Sequence, residues 1–150
     1  MIMKVLITGK GGQLAWELER LVPRKNIELI CLGQNELDIT DEQAVMKLIL
    51  NCKPDLVINA AAYTAVDNAE NNSQIAYAVN ECGIKYLAQA CKKINSRILH
   101  VSTDFIFDGF KNLPYQTNDI ANPLNVYGAS KLAGENALIS ILPNASVIVR

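Results

Sequence analysis

The chain has 150 residues, half of them apolar and 19% charged, a globular composition that allows one domain with a real core and excludes a disordered segment. With 14 basic and 15 acidic residues the net charge is −1, so there is no electrostatic footprint for nucleic acid or an acidic membrane surface. No apolar run is long enough to span a bilayer. Met1-Ile2-Met3-Lys4 leads directly into a strand without a signal-peptide pattern, and the expected location is the cytoplasm.

Lys4-Val5-Leu6-Ile7-Thr8 reads as a β-branched strand, followed at once by Gly9-Lys10-Gly11-Gly12-Gln13-Leu14-Ala15 and a helical pattern through Leu18 and Leu21 to Val22, which Pro23 ends. Strand, glycine turn and helix in this order form a phosphate-binding unit, in which backbone N–H groups at the helix start face a pyrophosphate. Gly9 would permit the tight turn and Gly12 the close approach of backbone to phosphate. The spacing is Gly-x-x-Gly-x-x-Ala, with Ala15 where a third glycine would pack helix on sheet. No Gly-Lys-Ser/Thr closes the loop, which disfavours ATP.

Ile27 to Leu32 is the second strand, ending at Gly33-Gln34-Asn35-Glu36. That exit carries neither a clean acid for ribose hydroxyls nor a base for a 2′-phosphate, so NAD and NADP stay undecided. Thr40 or Asp41 is the expected cap of a helix with apolar Ala44, Val45, Leu48 and Ile49. Asp38 fits an adenine edge or a simple turn carboxylate equally well. Leu56 to Ala62 is a strand that runs out into small residues, which let a flat ligand lie against the backbone. Tyr63 to Asp67 opens a helical region. Ser73 is the expected cap of a long helix to about Ile94, and Asn80 inside it suits either a core hydrogen bond or solvent.

Arg97 to Asp104 is the next strand and its exit. His100, the single histidine, sits among apolar residues and reads as a packed, hydrogen-bonded imidazole rather than a base. Thr103 lies at the carboxyl edge, where its hydroxyl can hold a substrate oxygen. Phe105 to Gly109 carries a turn signal and an irregular loop runs on to Pro123. A helix from about Val126 through Leu142, stopped by Pro143-Asn144, and a strand from Ala145 to Arg150 complete the chain. Alternating strands and helices predict an α/β fold with a parallel sheet covered on both faces. Cys31, Cys52, Cys82 and Cys91 show no metal-ligand spacing and read as reduced thiols, and no metal site is expected from the residues.

Tyr127 and Lys131 are four residues apart and share a face of the last helix. A phenol titrates near ~10, and a neighbouring ammonium stabilises its phenolate, which makes a proton donor useful at neutral pH. Spacing alone does not separate this pair from an ordinary amphipathic helix; a cofactor site elsewhere in the chain does.

Four segments in register carry a resemblance: Leu6 to Leu18, Asn59-Ala60-Ala61-Ala62-Tyr63-Thr64-Ala65-Val66-Asp67, Ser102-Thr103-Asp104-Phe105-Ile106-Phe107-Asp108-Gly109, and Pro123 to Glu135. With them the whole chain resembles the extended short-chain dehydrogenase/reductase superfamily, and within it the dTDP-4-dehydrorhamnose reductase family. The resemblance implies a Rossmann-type doubly wound parallel sheet with helices on both faces, binding NADPH or NADH, and reduction of the 4-keto group of dTDP-4-dehydro-L-rhamnose to dTDP-L-rhamnose. By position it makes Thr103, Tyr127 and Lys131 catalytic, with Tyr127 as proton donor and Lys131 lowering its pKa. Gly9, Gly12, Gln13 and Leu14 would hold the pyrophosphate, Asp38 and Ile39 would approach adenine, and Ala60, Ala62, Tyr63 and Thr64 would line the middle of the cofactor. Tyr127 and Lys131 would also touch the cofactor, and Thr103 and Asp104 the sugar substrate. Some members hold magnesium through a glutamate equivalent to Glu17 at a homodimer contact, with its other ligands beyond residue 150.

This chain departs from the family pattern at Ala15, at Phe105 where tyrosine is common, and at Thr117 where glutamate is expected. It also stops at Arg150, whereas the family continues into a smaller substrate-binding region. A fragment that binds dinucleotide with little or no turnover is therefore expected. Two other readings compete: a dinucleotide-binding regulatory subunit of the kind that accompanies methionine adenosyltransferase, and another sugar-nucleotide epimerase or dehydratase of the superfamily.

Overall fold

The computed structural model describes residues 2–21 and 26–150; the expected helix stop at Val22 and Pro23 lies outside them. Strands β1 (Met3–Thr8), β2 (Ile27–Leu32), β3 (Leu56–Asn59), β4 (Arg97–Val101) and β5 (Ser146–Val149) form one parallel sheet in the order β2-β1-β3-β4-β5. They alternate with α1 (Gln13–Leu21), α2 (Glu42–Cys52), the short α3 (Val66–Ala69) and α4 (Ser73–Tyr77), α5 (Ile84–Ile94) and α6 (Val126–Ile141). The chain leaves β1 for β2 on one side and returns across it to β3 on the other. This Rossmann-type winding opens a crevice at the carboxyl ends of β1 and β3, the place where such sheets take ligands.

Alternation along the strands sets the two layers. Leu6, Val57 and Ile98 point to one face and pack with Val45 and Ile49 of α2, Ile84 and Leu87 of α5 and Leu138 of α6. Val5 and Ile7 point to the other and pack on Ala15 of α1. Fully buried side chains of this size each contribute about 1.5–3 kcal/mol. The methyl of Ala15 is itself fully buried, so the third-glycine position is accommodated by close packing. Helices lie on both faces as expected, but α1 covers only the β2, β1 and β3 end of its face. Val147 and Val149, 58% and 48% exposed, stand in register with Leu99 and Val101 on the rest of it.

Three local expectations change. The third strand stops at Asn59, because Thr8 and His100 are its last register partners; Ala60 to Ala62 leave the ladder and line a cavity instead. The expected long helix is interrupted by a π-helical turn at Ala78–Gly83 between α4 and α5, and Ser73 is its first residue rather than its cap. Asp41, not Thr40, caps α2 by accepting a hydrogen bond from Ala44 N at 3.0 Å. The start of α6 is fixed by Asn125, whose Oδ1 accepts from Gly128 N at 2.7 Å, and by Glu70, which accepts from Val126 N at 2.8 Å.

Candidate active site

The glycine turn meets the exit of β3 at the switch point. Gly9 has φ +86°, and a Cβ there would stand 2.7 Å from the Ala60 carbonyl carbon, so glycine is required both by the turn and by the backbone contact. Beside this contact lies a cavity of about 460 Å³ lined by Gly9, Gly12, Asp38, Ile39, Ala60, Ala62, Tyr63 and Thr64. A space of that size with small apolar walls and a few polar groups fits a flat cofactor moiety. Gln13 and Leu14 lie outside this lining; Gln13 borders a separate cleft with Trp16 and Glu17, and Leu14 is exposed on the first turn of α1.

Asp38 does make a turn, accepting from Thr40 N at 2.9 Å and Thr40 Oγ1 at 2.7 Å, and it lines the cavity as well. The two readings of it are compatible. At the rim Lys10 pairs with Glu36 at 3.5 Å. Glu36 also accepts from Gly33 N at 2.7 Å, which with Lys10 holds its carboxyl below the usual range. Lys10 lines the cavity and was not singled out by the sequence, in which it is one loop lysine among several surface charges.

The second part of the site is where α6 crosses the exit of β4. Lys131 is 1% exposed and Tyr127 8%. The Lys131 ammonium donates to Val101 O at 2.6 Å and lies 3.4 Å from His100 Nε2. Burial pulls its pKa down to about 8, against the opposing pull of Glu135. His100 is buried and hydrogen-bonded as expected, with Nδ1 3.0 Å from Asn59 Nδ2. Burial, reinforced by the Lys131 charge, pushes its pKa down to about 3, so the imidazole is neutral. Glu135, also buried, is gripped by Arg150 Nε at 3.2 and 3.1 Å and by Nη2 at 2.6 Å, and it accepts from the Ser102 hydroxyl.

Thr103 opens the 3₁₀ turn Asp104–Ile106, its Oγ1 accepting from Phe105 N at 3.2 Å and lying 3.3 Å from Asp104 Oδ1. Phe105 packs edge-on against the Tyr127 ring, with centroids 5.6 Å apart. A Cβ on Gly128 would stand 2.2 Å from Phe105 O, so the strand exit and α6 touch backbone to backbone. Thr103, Tyr127 and Lys131 are thus brought to one edge, although among the described residues no hydrogen bond joins them directly. Asp104 is exposed beside them and borders a cleft of about 310 Å³ with Phe107, Asp108 and Tyr115.

Two hydrogen-bonded routes connect the cavity to this edge. In one, Asn80 of the π-helical turn accepts from Tyr63 N at 2.9 Å and donates to Ser130 Oγ at 2.9 Å, and Ser130 donates to Tyr127 O at 2.7 Å. This resolves the role of Asn80 in favour of the core; π turns commonly occur at functional sites. In the other, Thr8, Asn59, His100 and Lys131 follow one another across the sheet. The sequence assigns no role to Thr8 or Asn59: Thr8 ends the first expected strand, whereas Asn59 falls inside the third and only opens a segment of the resemblance. Among the described residues no three His, Cys, Asp or Glu side chains gather as metal ligands, and Glu17 stands exposed on α1. The four cysteines are free thiols. Burial, with Glu19, raises Cys31 to about 11, and burial raises Cys91 to about 12. No helix among the described residues is long and apolar enough to cross a membrane.

A glycine turn at the switch point of a doubly wound parallel sheet, with a buried Tyr–Lys pair on the helix that crosses the β4 exit, places the chain in the Rossmann-type class of domains. The chain belongs to the family described as the RmlD substrate binding domain, whose model matches residues 3–150. It is 49% identical over 148 residues to the dTDP-4-dehydrorhamnose reductase of Aggregatibacter actinomycetemcomitans, covering 98% of this chain and 50% of that protein. A solved dTDP-4-dehydrorhamnose reductase from Clostridium acetobutylicum superposes with a TM-score of 0.96 at 42% identity, over 99% of this chain and 52% of the other. That of Bacillus anthracis, solved in complex with NADP, gives 0.97 at 33% identity over 100% and 53%. The chain therefore spans about half the length of the curated relatives it matches.

Proposed function

We propose that this chain is the dinucleotide-binding part of a reductase that converts the 4-keto group of dTDP-4-dehydro-L-rhamnose to the alcohol of dTDP-L-rhamnose with NADPH or NADH. The observation that carries the reading is the meeting of buried Lys131 and Tyr127 with Thr103 at the β4 exit, beside the switch-point cavity. The relatives' activity and the NADP complex of one of them suggest the substrate and cofactor classes.

The nicotinamide cofactor, when bound, supplies hydride. Gly9 and Gly12 let the backbone approach its pyrophosphate, Gln13 and Leu14 begin the helix whose N-terminus faces the same charge, and Asp38 and Ile39 take the adenine end. Ala60, Ala62, Tyr63 and Thr64 wall the middle. Thr103 hydrogen-bonds the substrate carbonyl oxygen, and Tyr127 donates its phenolic proton to that oxygen as negative charge develops there. The Lys131 ammonium favours the resulting phenolate and orients the ribose, while Asp104 reaches the sugar. The chain's contribution is placement and electrostatics. Residues 1–150 alone are expected to bind the dinucleotide with little or no turnover, and magnesium has no part in the proposal.

The test is oxidation of NADPH by the intact protein on addition of dTDP-4-dehydro-L-rhamnose, with dTDP-L-rhamnose identified as product. No oxidation overturns the reading. Oxidised cofactor that stays bound through many turnovers would instead mark an epimerase or dehydratase cycle.

A further inference from the structure

Thr8 and Asn59 are the last residues of β1 and β3 and His100 the last but one of β4, in direct register with one another. All three are 1% exposed, as is Lys131. Their side chains form a continuous row on the α6 side of the sheet: Thr8 Oγ1 and Asn59 Oδ1 are 2.5 Å apart, Asn59 Nδ2 and His100 Nδ1 3.0 Å, His100 Nε2 and Lys131 Nζ 3.4 Å.

The direction of these hydrogen bonds is fixed by the charge at one end. An ammonium has only donors, and a neutral imidazole has one donor and one acceptor nitrogen. With Lys131 charged, Nε2 must be the acceptor, since two N–H groups facing each other in a buried site cost more than either bond supplies. The proton then sits on Nδ1 and needs an acceptor at Asn59, so the amide must be turned over from the orientation with Oδ1 on Thr8 and Nδ2 on His100, to present its oxygen to His100 and its NH₂ to Thr8 Oγ1. The opposite direction, with Asn59 NH₂ towards Nδ1 and the proton on Nε2, requires Lys131 to be a neutral amine.

We propose that Thr8, Asn59 and His100 are positioning residues that act as one oriented chain, holding His100 as the Nδ1–H tautomer so that Nε2 accepts from and anchors the Lys131 ammonium. Val101 O and Nε2 take two of the three ammonium protons, which leaves the third for the cofactor ribose that the function proposed above assigns to Lys131. Because Thr8 directly precedes Gly9, the same row ties the orientation of Lys131 to the strand end that starts the glycine turn. The consequence for catalysis rests on the role proposed above for Lys131; the hydrogen-bond direction does not.

The test uses the intact protein with ¹⁵N-labelled histidine, the His100 signals being assigned by their loss in His100→Gln. A long-range ¹H–¹⁵N spectrum at pH 7 should show Nδ1 protonated and Nε2 bare, and in Lys131→Met an Nε2–H population should appear. A wild-type Nε2–H tautomer, an imidazolium, or an unchanged tautomer in Lys131→Met would overturn the proposal. In the reductase assay His100→Leu should lose about tenfold or more in kcat with the substrate KM little changed. His100→Gln, which keeps an acceptor near Nε2, should recover most of the loss; equal defects in both variants would contradict the positioning role. The tautomer is read without substrate, so a failure of the reductase reading leaves that arm intact.

Discussion

At the switch-point cavity the walls are backbone and small side chains, and Gly9 lies so close to Ala60 that a Cβ would stand 2.7 Å from its carbonyl carbon. At the β4 exit the walls are ionisable groups taken out of water: Lys131 and His100 are 1% exposed and Glu135 not at all. The first region is damaged by adding atoms, the second by removing a charge or a donor. On the function proposed above, the first is a cradle that must come close to its ligand and the second a proton-transfer corner that must hold its charges in a dry, preset arrangement.

The largest expected effect that separates the two is Gly9→Ala. It combines a left-handed φ, worth about 1–2 kcal/mol, with an overpacked backbone contact of about 1–3 kcal/mol. The urea midpoint should fall accordingly, and NADPH binding, followed by fluorescence titration, should be lost. Next comes Glu135→Gln, which leaves Arg150 facing a neutral group. Because Arg150 remains 25% exposed, the cost should be about 2–3 kcal/mol, below that of breaking a fully buried pair, and NADPH binding should persist.

A smaller effect should appear with pH. Unfolded, His100 takes up a proton near its ordinary value of ~6.5, whereas the folded chain resists until about 3. Between these values the unfolded state binds more protons, so stability falls as pH falls. His100→Gln should flatten the slope of the urea midpoint between pH 6.5 and 5, the range above most carboxylate titration. The smallest effect is expected at the rim: Lys10→Ala removes an exposed pair with Glu36 and should change stability by less than about 1 kcal/mol.

The same contrast explains what was legible in the sequence. The cradle is local: strand, glycine turn and helix are contiguous, Gly9 sits at a strand exit that periodicity reveals, Asp38 lies in the loop after the second strand, and Ala60 belongs to the small-residue run of the third. The Tyr127 and Lys131 pair is also local, one helical turn apart. The row beneath it is not. Thr8 and Asn59 are 51 residues apart and Asn59 and His100 41, and only the strand order makes them neighbours. His100 could be read as a buried imidazole from its apolar flanks, but its partners could not. The π turn was hidden for a related reason, since Ile84, Leu87 and Ala90 keep a helical spacing. The insertion shows only in how Asn80 is turned towards Tyr63 and Ser130. The early stop of β3 likewise depends on where its neighbours end.

The division between a binding cradle and a proton-donor corner is tested most directly by measuring NADPH affinity and turnover on one preparation of Tyr127→Phe. The ring and its edge-on contact with Phe105 survive this substitution and only the phenolic hydroxyl is removed. Affinity should stay within about twofold of the wild type while turnover falls about 10²–10⁴-fold, the usual contribution of a general acid. Turnover within about threefold of the wild type would contradict the assignment of Tyr127 as the proton donor.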